Sequence, residues 1–527
     1  MATSAGLDAL SAQIDPPTLV DVLDRAAELS PETTAVICGA ERIDYRQYRH
    51  GAAVFAHDLI GLGVRGERVV VLMANSIEMS MVIHAIWAAG AACVLLNPLY
   101  SERELVPLIK DAGPAAILCD AAQVEKFAAI AEAAGVATVV PLGLGGTAYG
   151  DWLSRPEVAL PEPRPRPGDL CSLQYTGGTT GLPKGARHIH QELMHTVRLT
   201  QWAWPTVADK DVWCDVAPQF HIWGLCMTAM TPVYARATVV LMQRYDPGEV
   251  LAAFAAHRVT VFAGGPAAIF HGLMAHPDFK STDYASLRIC AGGGSPLPLA
   301  MVEAWQAVTG NTILEGYGMS EGAPIALNLS DGSNRVGTCG PVGPGVEIEA
   351  VDVETGTRVL PAGEDGELRV RGPQMMTEYW QRPEESAATV RDGFIHSGDV
   401  GHLDEDGFVV IVDRKKDMAI VNGFNVFPRE IDELLFSHPD VHEAAALGVP
   451  DAKAGETIHA YLVAKPGAVL EPAFVATFCA ERLAPYKVPT QIFVVDELPK
   501  TPAAKTDKMA LRQRSKAAGA ESSADPG

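Results

Sequence analysis

The sequence has no apolar run of membrane-spanning length, no CxxC pair, no basic excess and no leader-like N-terminus. Each absence excludes something. The longest apolar run, "AIWAAGAACVLL" from Ala85 to Leu96, stops at His84 on one side and Asn97 on the other. It falls short of the ~20 residues that cross a bilayer, and reads instead as a buried helix running into a strand. The nine cysteines are odd in number and scattered from Cys38 to Cys479. That spread fits free thiols in a reducing cytoplasm better than a disulfide frame or a zinc site. The opening "MATSAGLDALSAQIDPP" has neither the basic stretch nor the apolar stretch of a secretion signal. With 41 Lys and Arg against 64 Asp and Glu, the net charge is −23. Nucleic acid and anionic membrane surfaces reward a basic face, so neither is an expected partner. An anionic ligand would have to be met by local donors.

What is present is 527 residues, beyond the size at which one core keeps growing, so two or more domains are expected. Short β-rich runs such as "RVVVLMA", "AAILCD" and "ATVVPL" alternate with Ala-rich helical stretches, the pattern of α/β layers with parallel strands. A proline-dense connector, Arg155 to Leu170, follows them. Further on, "TVVLMQRY", "VTVFAGG" and "SLRICAGGG" place strands just before glycine clusters, as at a crevice where strand ends open onto a ligand. From Val346 to Val370 the pattern changes to alternation with turns, expected as an antiparallel sheet or small barrel. A second, small α+β domain is expected beyond about Asp413.

The connector delivers the chain to "YTGGTTGLPKG", Tyr175 to Gly185. Glycines let backbone N–H groups turn inward, threonines add hydroxyls and a lysine adds a mobile positive charge, a composition suited to phosphate. It is not a Walker A loop. Counted from Gly178, Pro183 stands where the second glycine belongs and Gly185 where the magnesium-binding hydroxyl belongs. Later stretches add "GGGSP" (Gly292 to Pro296), "EGYGMSE" (Glu315 to Glu321), "HSGDVG" around Asp399, Arg414, and "VNGFNV" around Gly423.

In this order and spacing the motifs resemble the acyl-adenylate-forming superfamily, and within it the acyl-CoA synthetases, from "RIDYRQYRHGAAVFAHDL" at Arg42 to "LPKTPAAKTDKMALR" ending at Arg512. The resemblance implies a large N-terminal domain, 1–413, of two layered α/β subdomains plus a small β-barrel-like one. A small mobile α+β domain, 414–515, follows, with 516–527 expected to be a disordered tail. It implies an AMP-forming acid–CoA ligase using ATP, magnesium and coenzyme A, with a homodimer left open. Thr176, Thr179, Thr180 and Lys184 would embrace the departing phosphates. Gly294, Ser295 and Pro296 would lie against adenine, with Tyr317 on its other face among Glu315, Gly316, Gly318, Met319 and Ser320, and Glu321 would hold magnesium. Asp399 and Arg414 would take the ribose, Lys416 would be the hinge, and Gly423 would let pantetheine pass. Lys505 would be the catalytic lysine. Ala504 stands where the family usually has glycine, which leaves Lys508 as a fallback.

For the acid, "APQFHIWGLCM" matches the family segment along the acyl site, with His221 beside the carboxylate. Read as an extended segment, it points Trp223 into the pocket two residues on, shortening it. Phe262, Ala263, Gly264, Gly265, Gly316, Met319 and Ala323 are the expected remaining wall. These are apolar, so the expected substrate is a monocarboxylic apolar acid: medium-chain, aromatic or alicyclic. The rivals are an adenylation enzyme loading a separate carrier protein, a light-emitting oxygenase of the same fold, and a nucleotide-binding regulator without catalysis.

Overall fold

A computed structural model describes residues 15–176, 183–295, 297–422, 424–451, 453–501 and 506–522. Two large sheets organise the first 330 residues. One has six strands in the spatial order Val139–Leu142, Ala116–Asp120, Arg68–Leu72, Ala92–Leu95, Leu170–Thr176 and Lys184–Ile189, parallel except for the last pair. The other has eight, in the order Gly322–Leu327, Leu314–Met319, Ile289–Gly293, Val261–Gly265, Val212–Asp215, Thr238–Leu241, Thr34–Cys38 and Glu41–Asp44, with antiparallel pairs only at its two edges. Parallel strands need both faces covered, which is why Val69 to Leu72 carries an unbroken apolar run, fully buried.

The helix Ile77–Ala88 shows how the two sheets are joined. It is apolar on nearly every side, so its whole surface must be buried. Its core cluster contains Val69 and Val71 of the first sheet together with Trp213 and Ala263 of the second. Ser76 starts the helix by accepting from Met79 N–H, and the one imidazole inside it, His84, meets Tyr48 Oη at 2.9 Å. The run Ala85 to Leu96 is indeed the end of this helix followed by the strand Ala92–Leu95.

The alternating stretch after Val346 forms a five-stranded antiparallel sheet: Glu347–Val351, Gly366–Arg371, Phe394–Leu403 and Val390–Arg391, with Val409–Arg414 beside Phe394–Leu403. Beyond it the chain makes another five-stranded sheet, centred on Gly455–Ala464 and covered by the helices Pro428–Phe436 and Pro472–Ala480. The cores divide at the same point in the sequence. The clusters of the first part reach no further than Ile411, and those of the last part draw only on residues from Ala419 to Leu511. Polar contacts bridge the division, among them Lys415 Nζ to Glu367 at 3.0 Å. The final helix, Lys508–Ser522, extends into the segment that composition marks as a tail.

Candidate active site

The strands Leu170–Thr176 and Lys184–Ile189 form a hairpin in which Thr176 stands directly opposite Lys184. The residues between them, including Thr179 and Thr180, lie outside the described residues. The hairpin is anchored from behind. Tyr175 Oη donates to Asp111 at 2.8 Å, and Arg382 pairs with the other oxygen of the same carboxylate. Gly185 packs closely here: a Cβ would lie 3.3 Å from the Tyr175 ring and 3.5 Å from Trp380, whose backbone N–H donates to Gly185 C=O at 2.8 Å. Lys184 Nζ lies 5.1 Å over the ring of Tyr379.

The "EGYGMSE" residues divide between two faces of one strand. Tyr317 is buried, and its hydroxyl donates to Asp399 at 2.7 Å. Asp399 stands opposite Arg414 in the strand register, and its other oxygen lies 3.3 Å from Arg414 Nε. Asp399 is only 8% exposed, while the Arg414 side chain is half exposed. Gly316 turns the other way, toward Trp204 and Leu327. Gly318 has no room for a side chain, because a Cβ would sit 2.8 Å from that of Ala323. Ser320 C=O meets His188 Nε2 at 2.8 Å. Glu321 is nearly buried, and Tyr379 Oη donates to its Oε1 at 2.6 Å. A carboxylate offers about four lone-pair sites, so this bond leaves capacity for a dication, and the residue fits magnesium.

Glu315 directs its carboxyl toward another side chain of the fold. Its carboxyl lies near Cys339, at 3.9 Å from the thiol. Burial raises it to about 7, with Arg429 beyond the domain division pulling it back down. Gly294 takes φ +75°, and Ser295 Oγ accepts from Ala267 N–H at 3.1 Å; Pro296 lies outside the described residues.

At the acid end the structure corrects the sequence reading twice. The segment at His221 is not extended. His221 caps a helical turn, Ile222–Gly224, accepting from Trp223 N–H at 3.2 Å, and a π-helix, Leu225–Met230, follows. Trp223 still reaches the expected floor, but from a helix. Its ring would meet a Cβ on Gly293 at 3.2 Å and on Gly265 at 3.6 Å, and lies edge-on to Trp204 with centroids 6.3 Å apart. The second correction concerns Phe262 and Gly264. Strand alternation turns Phe262 into the opposite core, against Phe254, Phe270 and Trp305, and a Cβ on Gly264 would meet the same rings. Ala263 and Gly265 are the residues of that strand that face Trp223. Met319 and Ala323 are half-buried at the strand turn.

Lys505 and Gly423 lie outside the described residues. Lys508 does not: its Nζ is 3.0 Å from Asp432, well inside the last domain, which commits it to a structural ion pair. Tyr379, Asp111 and His188 were not found by sequence reasoning. Each meets its partner across 58 to 132 residues of chain, a separation at which local spacing carries no signal.

Comparison with known proteins gives the family. The family model described as "AMP-binding enzyme" matches residues 23–380, and that described as "AMP-binding enzyme C-terminal domain" matches residues 430–505. The chain belongs to the AMP-binding enzymes. It is 33% identical over 522 residues to a long-chain-fatty-acid–CoA ligase of Bacillus subtilis, covering 93% of each chain. It is 34% identical over 502 residues to a feruloyl-CoA synthase of Amycolatopsis, covering 93% of this chain and 97% of the other. Among solved structures, ATP-bound MatB from Rhodopseudomonas palustris superposes with a TM-score of 0.88 at 32% identity, covering 94% and 99% of the two chains. This AMP-binding enzyme is an AMP-forming acid–CoA ligase that uses ATP. Among its described residues no helix is long and apolar enough to cross a membrane.

Proposed function

We propose that the enzyme activates an apolar monocarboxylic acid of medium-chain, aromatic or alicyclic type with magnesium-bound ATP, and then passes the acyl group to coenzyme A. The observation that carries the choice of acid is the indole of Trp223, laid against Gly265 and Gly293 and flanked by Trp204. Two large apolar rings beside glycines make a short, flat-walled floor, which favours a compact or planar acyl group over a long flexible one. The named relatives act on both kinds of acid, so the tryptophans supply the discrimination.

A carboxylate is a poor electrophile because a thiol attacking it has no acceptable leaving group. In the first step a carboxylate oxygen attacks the α-phosphorus of ATP, the α–β phosphoanhydride bond breaks, and pyrophosphate leaves. In this reading Thr176, Thr179, Thr180 and Lys184 bind the departing phosphates, and Lys505 stabilises the charge at the α-phosphate. Glu321 would hold magnesium, which would supply further charge neutralisation when bound. Tyr317 and the Asp399–Arg414 pair hold adenine and ribose, and His221 orients the acid's carboxylate. In the second step the thiol of coenzyme A loses its proton and attacks the acyl carbonyl, and AMP leaves. Rotation at Lys416 would exchange Lys505 for the Gly423 face between the steps. The nine cysteines are free and buried, which accords with a reducing cytoplasm.

ATP-dependent loss of the coenzyme A thiol over a panel of acids tests this reading. Turnover should peak with aromatic and medium-chain acids. A peak at chains of sixteen or more carbons, or with dicarboxylic acids, would contradict the acid assignment. Adenylate formation without thiol loss would point to a carrier protein as acceptor.

A further inference from the structure

Tyr379 touches two of the charged groups just described and belongs to neither motif. Its hydroxyl donates to Glu321 Oε1 at 2.6 Å, and Lys184 Nζ sits 5.1 Å over its ring. It is itself held on several sides. Its backbone bridges to Ala186 on the phosphate-hairpin strand, its N–H donates to Ser386 Oγ at 2.9 Å, and it is 6% exposed. The same segment fixes Glu321 a second time, because Met376 N–H donates to Glu321 C=O at 2.7 Å. That approach depends on Gly322, where a Cβ would lie 2.9 Å from Met375 Cα.

A glutamate side chain has several free torsions, and a metal ligand must lose that freedom before it binds. A charge-assisted O–H···O⁻ bond to one oxygen fixes the carboxylate plane and leaves the other oxygen to face outward. The electron-rich face of the same ring attracts the lysine ammonium. The ammonium and the carboxylate thus lie against the same side chain. With each engaged by a different part of one tyrosine, the lysine stays available to phosphate and the glutamate to the metal. We propose that Tyr379 is the positioning residue of the magnesium–phosphate site: its hydroxyl orients Glu321 for the metal, and its ring face parks Lys184 for the phosphates. The inference rests on Glu321 being the magnesium carboxylate.

Three variants separate the two statements. Tyr379→Phe keeps the ring and removes the hydroxyl, Tyr379→Leu removes both, and Glu321→Gln tests the underlying assignment. The readout is Mn2+ affinity in the complex with an ATP analogue carrying a methylene bridge between the α- and β-phosphorus, measured by electron paramagnetic resonance. Beside it runs the rate of thioester formation from supplied acyl-adenylate and coenzyme A, a step from which pyrophosphate is absent. Tyr379→Phe is expected to weaken Mn2+ about 10-fold or more, as loss of an outer hydrogen-bond partner of a metal ligand does, with the thioester rate within about twofold of the parent. Tyr379→Leu is expected to weaken the nucleotide analogue as well. Mn2+ affinity unchanged in Tyr379→Phe but lost in Glu321→Gln would overturn the inference, and so would an equal fall of both readouts in Tyr379→Phe. Unchanged Mn2+ affinity in Glu321→Gln would overturn the assignment of Glu321 instead.

Discussion

Trp223 and Asp399 are the two residues whose removal separates acid recognition from nucleotide recognition. The indole of Trp223 fills the space over Gly265 and Gly293, so Trp223→Ala opens that space. Each methylene that enters is worth ~0.8 kcal/mol, about fourfold in kcat/KM. Specificity measured over acids of increasing length should therefore climb toward longer chains; an unchanged chain-length profile with activity intact would remove Trp223 from the acyl site. Asp399 accepts from Tyr317 and pairs with Arg414, so its loss frees both of the groups proposed to bind the nucleoside. Asp399→Ala should raise KM for ATP by about 10- to 100-fold, the equivalent of a hydrogen bond to a charged group, and leave KM for the acid nearly unchanged. Equal effects on both would mean that the variant has lost structure rather than a ribose contact.

At the scale of elements, the ion pair between Lys508 on the last helix and Asp432 on the helix Pro428–Phe436 holds two parts of the C-terminal domain together. Asp432 is buried and pushed up to about 6, first by burial, with Lys508 opposing. Lys508→Ala removes that opposition, so the carboxyl rises further and must be buried charged above its new value or take a proton below it. Folded Asp432 holds its proton to a higher pH than the unfolded chain, so its contribution to stability is lost as pH rises. The deficit of Lys508→Ala should be a few kcal/mol near pH 8 and shrink toward pH 5, as expected for a buried charge left without its partner. Urea denaturation across that range checks it; a deficit independent of pH would contradict the buried pair.

The layered sheets were legible because a strand buried on both faces must be an apolar run and a helix wedged between sheets must be apolar all round, as at Val69 to Leu72 and Ile77 to Ala88. Tyr317, Asp399 and Arg414 were expected together only through the family resemblance, and the structure does bring them into contact. The face of a short strand was not legible. "VTVFAGG" is apolar at every position, so nothing in it tells Phe262 from Ala263, and only the neighbouring rings of Phe254 and Phe270 decide. Nor was the helical turn at Trp223, since "HIWG" carries no capping signal beyond His221 itself.

At the scale of the whole molecule, the two domains meet through groups that answer to pH. His271 on the helix Ala267–Ala275 lies against Phe436 and, edge-on, His442, with ring centroids 6.2 and 5.5 Å apart. Its imidazole is held below the ordinary range by burial first and by His442 next, with Lys500 and Lys465 adding to the effect and Glu443 opposing it. The docked arrangement thus binds fewer protons than the separated one, so docking weakens as pH falls through the ordinary histidine range. Energy transfer between dyes on the two domains should report a more open ensemble at about pH 5.5 than at about pH 7.5. His271→Phe, which keeps a ring against Phe436, should flatten that dependence; an equal dependence in the variant would assign it elsewhere.

Domain rotation also makes the sharpest demand of the two-step account, because a lysine needed in one arrangement should be idle in the other. Lys505→Ala should lose several orders of magnitude in the exchange of labelled pyrophosphate into ATP in the presence of acid. It should still convert supplied acyl-adenylate and coenzyme A to thioester at close to the parent rate. An equal loss in both half-reactions, with the variant folded, would contradict the account.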